Sequence, residues 1–200
     1  MIPVTSILFS GVGGQGIILA SKVLARCAFD CGYMVKESEM HGMAQRGGSV
    51  TGHVRFGKDV YSPLIPKGGA DYLVAMEELE GLRNADYLKP KGGVVLNRRQ
   101  VLPSFFKPGV GYPKDVKSRL DSLGFQVKEI DALEMAKRLG NLRVENLVLL
   151  GALSNYLSMP FSAWTESVRE SVPMKMVELN LAAFKLGRDF VVKNKKEELC

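Results

Sequence analysis

The chain has 200 residues, of which 46% are hydrophobic and 24% are charged, and its formal net charge is +6. These values are ordinary for one globular domain, and the lack of a signal-like N-terminus or an apolar run of about 20 residues argues against a membrane protein and for the cytoplasm. The positive charge is diffuse and no basic stretch alternates with aromatic residues, so we expect no nucleic-acid partner.

The first predicted elements are a strand, a glycine-rich turn and a helix. Residues 5–10 are short and apolar, as in a buried strand, and residues 17–29 are apolar on nearly every face, as in a helix covered on both sides. A second strand is predicted over residues 33–37. Residues 41–48 have neither helical nor strand periodicity, which predicts a loop.

The middle of the chain alternates strands with helices. Residues 50–56 are predicted as a strand that ends at Gly57, after which residues 60–65 pair back as a hairpin. The following predicted strands cover residues 71–76, 93–97 and 126–130, and the helices between and after them cover residues 77–87, 114–123 and 132–139. This alternation predicts a mostly parallel sheet.

The last part of the chain is predicted to be helical. Residues 144–157 form an apolar helix that is either core or subunit interface, and helices over residues 162–171 and 175–191 follow. The predicted fold is therefore of the α/β class, a mostly parallel, Rossmann-like three-layer sheet with an antiparallel hairpin and a C-terminal helical extension. Residues 1–193 are predicted as a single domain and residues 194–200 as a charged, disordered tail.

The turn over residues 11–16, the first turn, has the sequence Gly-Val-Gly-Gly-Gln-Gly and matches G-x-G-x-x-G between a strand and a helix. Its glycines permit a tight turn and close approach of a phosphate, and the N–H groups at the helix start favour an anion. In a nicotinamide-binding domain an acidic residue about twenty positions later binds the ribose, and Glu37 and Glu39 have that spacing. A second interpretation is that these glycines serve only helix–strand packing or a subunit contact.

The loop over residues 41–48, the second loop, distinguishes the chain from a dehydrogenase. In a right-handed βαβ unit this loop and the first turn emerge at the same sheet edge, so we expect them to share one crevice. Arg46 would place a bidentate positive charge there beside Gly47 and Gly48. No catalytic residue is assigned; His41 is a candidate acid or base, whereas His53 is predicted to be structural.

These two segments carry a resemblance to a known family. Gly-x-Gly-Gly-Gln-Gly and Gly-Met-Ala-Gln-Arg-Gly-Gly, with residues 53–57, 62–65 and 77–83, resemble the gamma-type domain of the 2-oxoacid:ferredoxin oxidoreductases, and the indolepyruvate type most closely. The resemblance runs from about Ile7 through residues 144–157. Members of this family decarboxylate a 2-oxoacid on thiamine diphosphate, pass two electrons through iron–sulfur clusters to ferredoxin and release an acyl-coenzyme A.

The resemblance implies that this chain is the smaller subunit and is inactive alone. A larger alpha subunit would carry the thiamine diphosphate and the iron–sulfur clusters and would interact with ferredoxin, and coenzyme A would lie at the interface. Three cysteines cannot supply the four ligands of a cluster, and Cys27 and Cys31 are expected to be core thiols, not metal ligands. The candidate binding residues are Gly11, Gly13, Gly14, Gln15 and Gly16 in the first turn and Gln45, Arg46, Gly47 and Gly48 in the second loop.

Two other functions stay open at this point. The chain is alternatively an independent NAD(P)- or nucleotide-binding enzyme, or a purely structural assembly subunit whose glycines and Arg46 make only protein contacts. Glu77, Glu80 and Arg83 follow the end of a predicted strand, where ligands gather in open sheets. A helix-start carboxylate with an i, i+3 ion pair on a solvated or interface face is the favoured interpretation of these three residues.

Overall fold

A six-stranded sheet forms the centre of the computed structural model, which describes residues 3–42, 47–102 and 111–197, with side chains as far as residue 193. The strands cross the sheet in the order β2-β3-β1-β4-β5-β6. Strands β1, β4, β5 and β6 are parallel, whereas β3 is antiparallel to both of its neighbours. The strands are β1 (Thr5–Val12), β2 (Met34–His41), β3 (Ser49–Gly57), β4 (Ala70–Ala75), β5 (Leu88–Asn97) and β6 (Gln126–Ile130).

Helices cover both faces of the sheet, which confirms the predicted three-layer α/β fold. Two buried apolar clusters lie on opposite faces, because residues that alternate along a strand point to opposite sides: Ile7 and Phe9 of β1 belong to one cluster and Leu8 to the other. The helices are α1 (Ile17–Asp30), α2 (Glu78–Arg83), α3 (Val116–Ser122), α4 (Ala132–Arg138), α5 (Glu145–Leu153), α6 (Phe161–Ser171) and α7 (Val177–Glu197). None of the helices in the described parts of the chain has the length and apolarity that a bilayer crossing demands.

Helix α5 lies in the core of the molecule. All of its nine residues are buried, which places the predicted apolar helix inside the fold of this chain. The helix crosses α7 with backbone against backbone: a Cβ on Gly151 would lie 1.9 Å from the carbonyl oxygen of Phe184, and a Cβ on Gly187 would lie 1.8 Å from that of Val148. Only glycine fits at either position without a shift of one helix.

The predicted hairpin between residues 50–56 and 60–65 is wrong. Strand β3 already pairs with β1 on one side and with β2 on the other, so it has no free edge for residues 60–65. The antiparallel hairpin of the fold is instead β2–β3. Residues 60–65 run as a loop that Arg55 holds, because its Nη1 donates to the carbonyl oxygens of Ser62 at 2.9 Å and Leu64 at 3.3 Å.

Several element bounds differ from the prediction. His41 is the last residue of β2, not the first residue of the second loop, and β5 begins at Leu88, five positions before the predicted start at Gly93. The predicted helix over residues 77–87 ends at Arg83 and is followed by a single 3₁₀ turn, Ala85–Tyr87. Helix α7 continues to Glu197, inside the segment predicted to be a disordered tail, and residues 198–200 lie outside the described residues.

Candidate functional site

The glycines of the first turn have different structural roles. Gly14 and Gly16 have φ angles of +99° and +78°, in the left-handed region that favours glycine. A Cβ on Gly11 would lie 2.6 Å from the Oε1 of Gln15, and a Cβ on Gly16 would lie 2.5 Å from the Nδ2 of Asn146. A Cβ on Gly14 would meet nothing within 4 Å. Gly11 and Gly16 are therefore required by packing, while Gly14 faces open space.

Two amide side chains hold the first turn in place. The Oε1 of Gln15 accepts a hydrogen bond from the N–H of Val12 at 2.7 Å, and its Nε2 donates to the carbonyl oxygen of Met76 at 3.2 Å. Asn146 of α5 donates from Nδ2 to the carbonyl oxygen of Gly16 at 3.0 Å. Both polar ends of the Gln15 side chain are thus used within the protein, and this residue supports the turn from inside.

The first turn ends at the N-terminus of α1, which favours an anion. Gly16 is the N-cap and has no side chain to accept from the first N–H groups, and no acidic residue lies in the first turn of the helix. The first N–H groups of a helix have no partner within the helix and carry the positive end of its dipole. An anionic group placed beside Gly14 would interact with these N–H groups and with the positive end of the helix dipole.

The first turn and the second loop meet at one edge of the sheet, as predicted. Val12 pairs with Ser49 and His41 pairs with Val50, so the ends of β1 and β2 and the start of β3 lie side by side. The N–H of Gly13 donates to the carbonyl oxygen of Gly48 at 2.9 Å. Gly47 has a φ of +71°. Gln45 and Arg46 lie outside the described residues, so their positions stay a prediction.

A cavity of about 490 Å³ lies between the first turn and the end of β2. Besides residues of the turn, its lining includes Ile18, Glu39, His41 and Val50. Ile18 on α1 is 58% exposed, so the apolar part of this wall faces solvent. His41 is exposed, and its Nδ1 lies 3.3 Å from the carbonyl oxygen of Gly42. The crevice therefore has a helix N-terminus, an apolar patch, a carboxylate and an imidazole along its rim.

The sheet order weakens the nicotinamide interpretation of the first turn. Strand β3 lies between β1 and β2, so Glu37 and Glu39 on β2 are two strand spacings, about 10 Å, from β1. In the dinucleotide-binding fold the ribose-binding acid ends the strand directly beside the glycine turn. Partial desolvation of the exposed Glu37 side chain, followed by the neighbouring charge of Glu39, raises the pKa of Glu37 above its ordinary value.

A group of buried carboxylates lies behind the second loop, at the same sheet edge. Glu77, only 1% exposed, is the N-cap of α2 and accepts from the N–H of Glu80 at 2.9 Å and from that of Val101 at 3.0 Å. The hydroxyl of Tyr112 donates to Glu77 and accepts from the N–H of Leu79 at 2.8 Å. Burial and the hydrogen bond to Glu77 raise the pKa of Tyr112.

Glu80 connects α2 to the start of β3, next to the second loop. Its carboxylate accepts from the Oγ of Ser49, the first residue of β3, at 2.5 Å and from the Nη1 of Arg83 at 2.7 Å. The predicted helix-start carboxylate and i, i+3 ion pair are therefore confirmed. The predicted solvated or interface face is wrong, because Glu77 and Glu80 are buried, and Ser49 and Tyr112 supply partners that are distant in sequence.

Glu145 is a further buried carboxylate at this edge that the sequence does not reveal. It begins α5 and accepts hydrogen bonds from Asn97 at the end of β5 and from Arg99 just beyond it. Burial raises the pKa of Glu145, and the charge of Arg99 opposes that shift. A Glu that opens an apolar helix gives no sign of this contact in the sequence, since Asn97 and Arg99 lie far from it along the chain.

The remaining candidate residues lie away from the crevice. Cys27 is fully buried in α1, and burial raises the pKa of its thiol to about 12. His53 is buried on β3, and its Nδ1 accepts from the N–H of Ile65 at 3.2 Å, as expected of a structural histidine. No three His, Cys, Asp or Glu side chains of the described residues form a group that could hold a metal ion.

Comparison with known proteins gives close relatives along the whole chain. Residues 6–190 match the family model described as pyruvate ferredoxin/flavodoxin oxidoreductase. The chain is 42% identical over 187 residues to the indolepyruvate oxidoreductase subunit IorB of Archaeoglobus fulgidus, covering 91% of this chain and 92% of that protein. It is 40% identical to the subunit of the same name from Thermococcus kodakarensis, covering 97% of each.

Solved structures with the same fold are also found. The gamma subunit of a keto/oxoacid ferredoxin oxidoreductase from Geobacter sulfurreducens has a TM-score of 0.73 and 26% identity and covers 94% of this chain and 99% of its own. A 2-oxoglutarate:ferredoxin oxidoreductase from Magnetococcus marinus, solved with 2-oxoglutarate, coenzyme A and succinyl-CoA bound, has a TM-score of 0.74 at 22% identity, covering 95% of this chain and 31% of that one. The chain therefore belongs to the pyruvate ferredoxin/flavodoxin oxidoreductase family, as its two glycine-rich segments predicted.

Proposed function

We propose that this chain is the smaller subunit of an indolepyruvate, or aryl-pyruvate, ferredoxin oxidoreductase. The complete enzyme would oxidatively decarboxylate the 2-oxoacid to an acyl-coenzyme A, and this chain would complete the active-site crevice and contact coenzyme A. The names of its relatives support the substrate class. The observation that carries the role of this chain is the hydrogen bond from Gly13 to Gly48, because it joins the two predicted binding segments at one sheet edge.

The chemistry of the crevice fits the phosphate-bearing part of coenzyme A. The N-terminus of α1 lacks a side-chain cap and has no acidic residue in its own first turn, so its N–H groups are available to an anion. Glu39 of β2 lines the same cavity. Gly14 allows a phosphate to approach the backbone, because no side chain projects there. The cavity of about 490 Å³ and the exposed Ile18 beside it leave room for an apolar portion of the same ligand. Arg46 of the second loop would add a second positive charge.

The decarboxylation and electron-transfer chemistry is proposed to belong to a larger partner subunit. Thiamine diphosphate and iron–sulfur clusters would be bound there, and ferredoxin would interact with that subunit. The cysteines of this chain do not fit a cluster, since a cluster is held by four thiolates and Cys27 is a buried thiol whose pKa is raised to about 12. What this chain contributes is the binding and orientation of the acyl acceptor.

The first test is reconstitution. The chain and the larger subunit are purified separately, and indolepyruvate-dependent reduction of ferredoxin or of a redox dye is measured for each alone and for the mixture. We expect coenzyme A-dependent turnover that requires this chain. Full turnover by this chain alone would refute the assignment, as would a larger subunit whose rate and KM for coenzyme A are unchanged when this chain is added.

The second test separates ligand contact from backbone strain. Gly14→Ala adds a methyl group at the crevice, and Gly32→Ala is its matched control, because Gly32 has a φ of +84° at the end of α1 and also has nothing within 4 Å of its Cβ position. Both changes impose similar strain, but only Gly14→Ala removes backbone access for a phosphate. Loss of one hydrogen bond to a charged group, about 1.5 kcal/mol, predicts a roughly tenfold higher KM for coenzyme A.

The outcome for Arg46 distinguishes this function from a purely structural subunit. If Arg46 binds coenzyme A, Arg46→Ala raises the KM for coenzyme A while the affinity between the subunits is kept. If instead both Gly14→Ala and Arg46→Ala weaken assembly and leave the KM for coenzyme A unchanged, the segments serve the protein interface and the coenzyme A contact is wrong.

A further inference from the structure

Strand β2 is a long and exposed edge of the sheet. It has eight residues, of which six are exposed, and within the described part of the chain it pairs only with β3. At the opposite edge, β6 has five residues, of which one is exposed. The outer N–H and C=O groups of an edge strand are a template for another strand, and short or covered edges are the usual protection. Strand β2 is long and has no further strand beside it among the described residues, so its protection comes from its charged side chains, Lys36, Glu37 and Glu39.

The two faces of β2 differ in chemistry. Met34 and Met40, which are 46% and 40% exposed, lie on one face together with the exposed Lys36, and the Sδ of Met34 accepts from the N–H of Val60 at 3.2 Å. Glu37, Glu39 and His41 lie on the other face, which is the face toward α1. Charges on an edge strand protect it from self-association, but two exposed methionines on the same strand do not. This pattern is consistent with an edge that pairs only with a strand of complementary charge.

A second copy of this chain is a poor occupant of the edge. Residues directly opposite in an antiparallel pair lie on the same face of the sheet. In a pair of β2 strands related by a twofold axis, odd-numbered residues therefore lie opposite odd-numbered residues, and two registers give almost complete overlap. One register places Glu37 opposite Glu37, and the other places Glu37 opposite Glu39 of the second copy. Like charges directly opposite are destabilising. Pairing of β2 with the β2 strand of a second copy is therefore disfavoured.

We infer that β2 is the docking edge for an extended segment of the larger subunit, which adds a strand with Lys or Arg opposite Glu37 and Glu39 and apolar side chains beside Met34 and Met40. This inference rests on the proposed function, which supplies the partner. The position of the edge supports it, because β2 ends at His41 and both Glu39 and His41 line the crevice. A strand added here would bring the partner chain directly to the rim of the crevice.

The test compares amide hydrogen exchange of this chain alone and in the complex with the larger subunit. We expect at least about tenfold slower exchange for amides in residues 34–41, because an added strand pairs with the outward-facing N–H groups of an edge. In parallel, the Kd of the complex is measured for Glu37→Lys/Glu39→Lys. The control is Glu166→Lys/Glu178→Lys, which reverses the same number of charges at exposed positions on α6 and α7.

We expect the β2 double variant to raise the Kd by about tenfold or more, since two opposite-charge cross-strand pairs become like-charge pairs, and the control to change it by less than about twofold. A complex that forms and turns over without protection of residues 34–41 would overturn the docking edge and leave the proposed function intact. Equal effects of the two double variants would also overturn it. Failure of the two subunits to form any complex would refute both proposals.

Discussion

The first turn offers a sharp test of why this chain requires glycine at position 16. In Gly16→Ala the new Cβ would lie 2.5 Å from the Nδ2 and 3.0 Å from the Cγ of Asn146, and the backbone would keep a φ of +78°. The left-handed conformation costs a non-glycine residue about 1–2 kcal/mol. Displacement of Asn146 breaks its hydrogen bond to the carbonyl oxygen of Gly16, which adds about 0.5–1.5 kcal/mol. We expect a total loss of about 1.5–3.5 kcal/mol in the free energy of unfolding.

The assay is urea unfolding, with Gly14→Ala as the matched control. Gly14 has a φ of +99° and an open Cβ position, so its substitution should cost only the strain of about 1–2 kcal/mol. A double-mutant cycle with Asn146→Ala isolates the contact, and we expect Gly16→Ala to cost about 1 kcal/mol less when Asn146 is already truncated. Equal costs for the two glycine substitutions, or strictly additive effects in the cycle, would refute the contact with Asn146 as the reason for Gly16.

Three further predictions concern the core. Gly151→Ala should lower the unfolding free energy by about 3 kcal/mol or more in urea titrations, because α5 and α7 must separate to admit a Cβ 1.9 Å from the oxygen of Phe184. Burial lowers the pKa of His53 in the folded chain, so as the pH falls below about 6.5 the imidazole is protonated in the unfolded chain before it is protonated in the folded chain. The free energy of unfolding should therefore decrease as the pH falls. In His53→Gln this decrease should be less steep. Cys27, buried and with its pKa raised to about 12, should react with iodoacetamide at pH 8 far more slowly than Cys31, as followed by mass spectrometry.

Most of the fold could be predicted because its signals are local. The apolar runs of β1 and β4 and the helix over α1 are continuous in sequence, and each is bounded by glycine, proline or a polar residue. The place of β3 could not be predicted in the same way. Its alternating pattern indicates a strand but does not say which neighbours it pairs with, and insertion between β1 and β2 depends on long-range pairing. The false hairpin over residues 60–65 arises from assuming that the next apolar segment is the partner.

The candidate site was predictable where backbone geometry demands glycine and not where distant side chains meet. The two glycine-rich segments indicated one shared edge, and the Gly13–Gly48 hydrogen bond agrees with that expectation. The roles of Gln15 and Asn146 in holding the first turn were not predictable, since Met76 and Asn146 are far from the turn in sequence. The burial of Glu77 and Glu80 was missed for the same reason, because charged residues ordinarily indicate a solvated surface.

The match to G-x-G-x-x-G combines two physical requirements that only the structure separates. Gly11 and Gly16 satisfy packing against Gln15, Met76 and Asn146, and a chain that binds no ligand at all would still need them. Gly14 has no packing requirement, and what distinguishes it is its positive φ and its open Cβ position. A fingerprint match at Gly11 and Gly16 is therefore evidence about the fold, and Gly14 is the position at which ligand binding can be tested. The insertion of β3 adds a second distinction: the strand directly beside β1 begins at Ser49 and has no carboxylate at this edge, and Gly48 lies beside Gly13 instead. This arrangement differs from a dinucleotide-binding domain, in which the ribose-binding acid ends the strand next to the glycine turn.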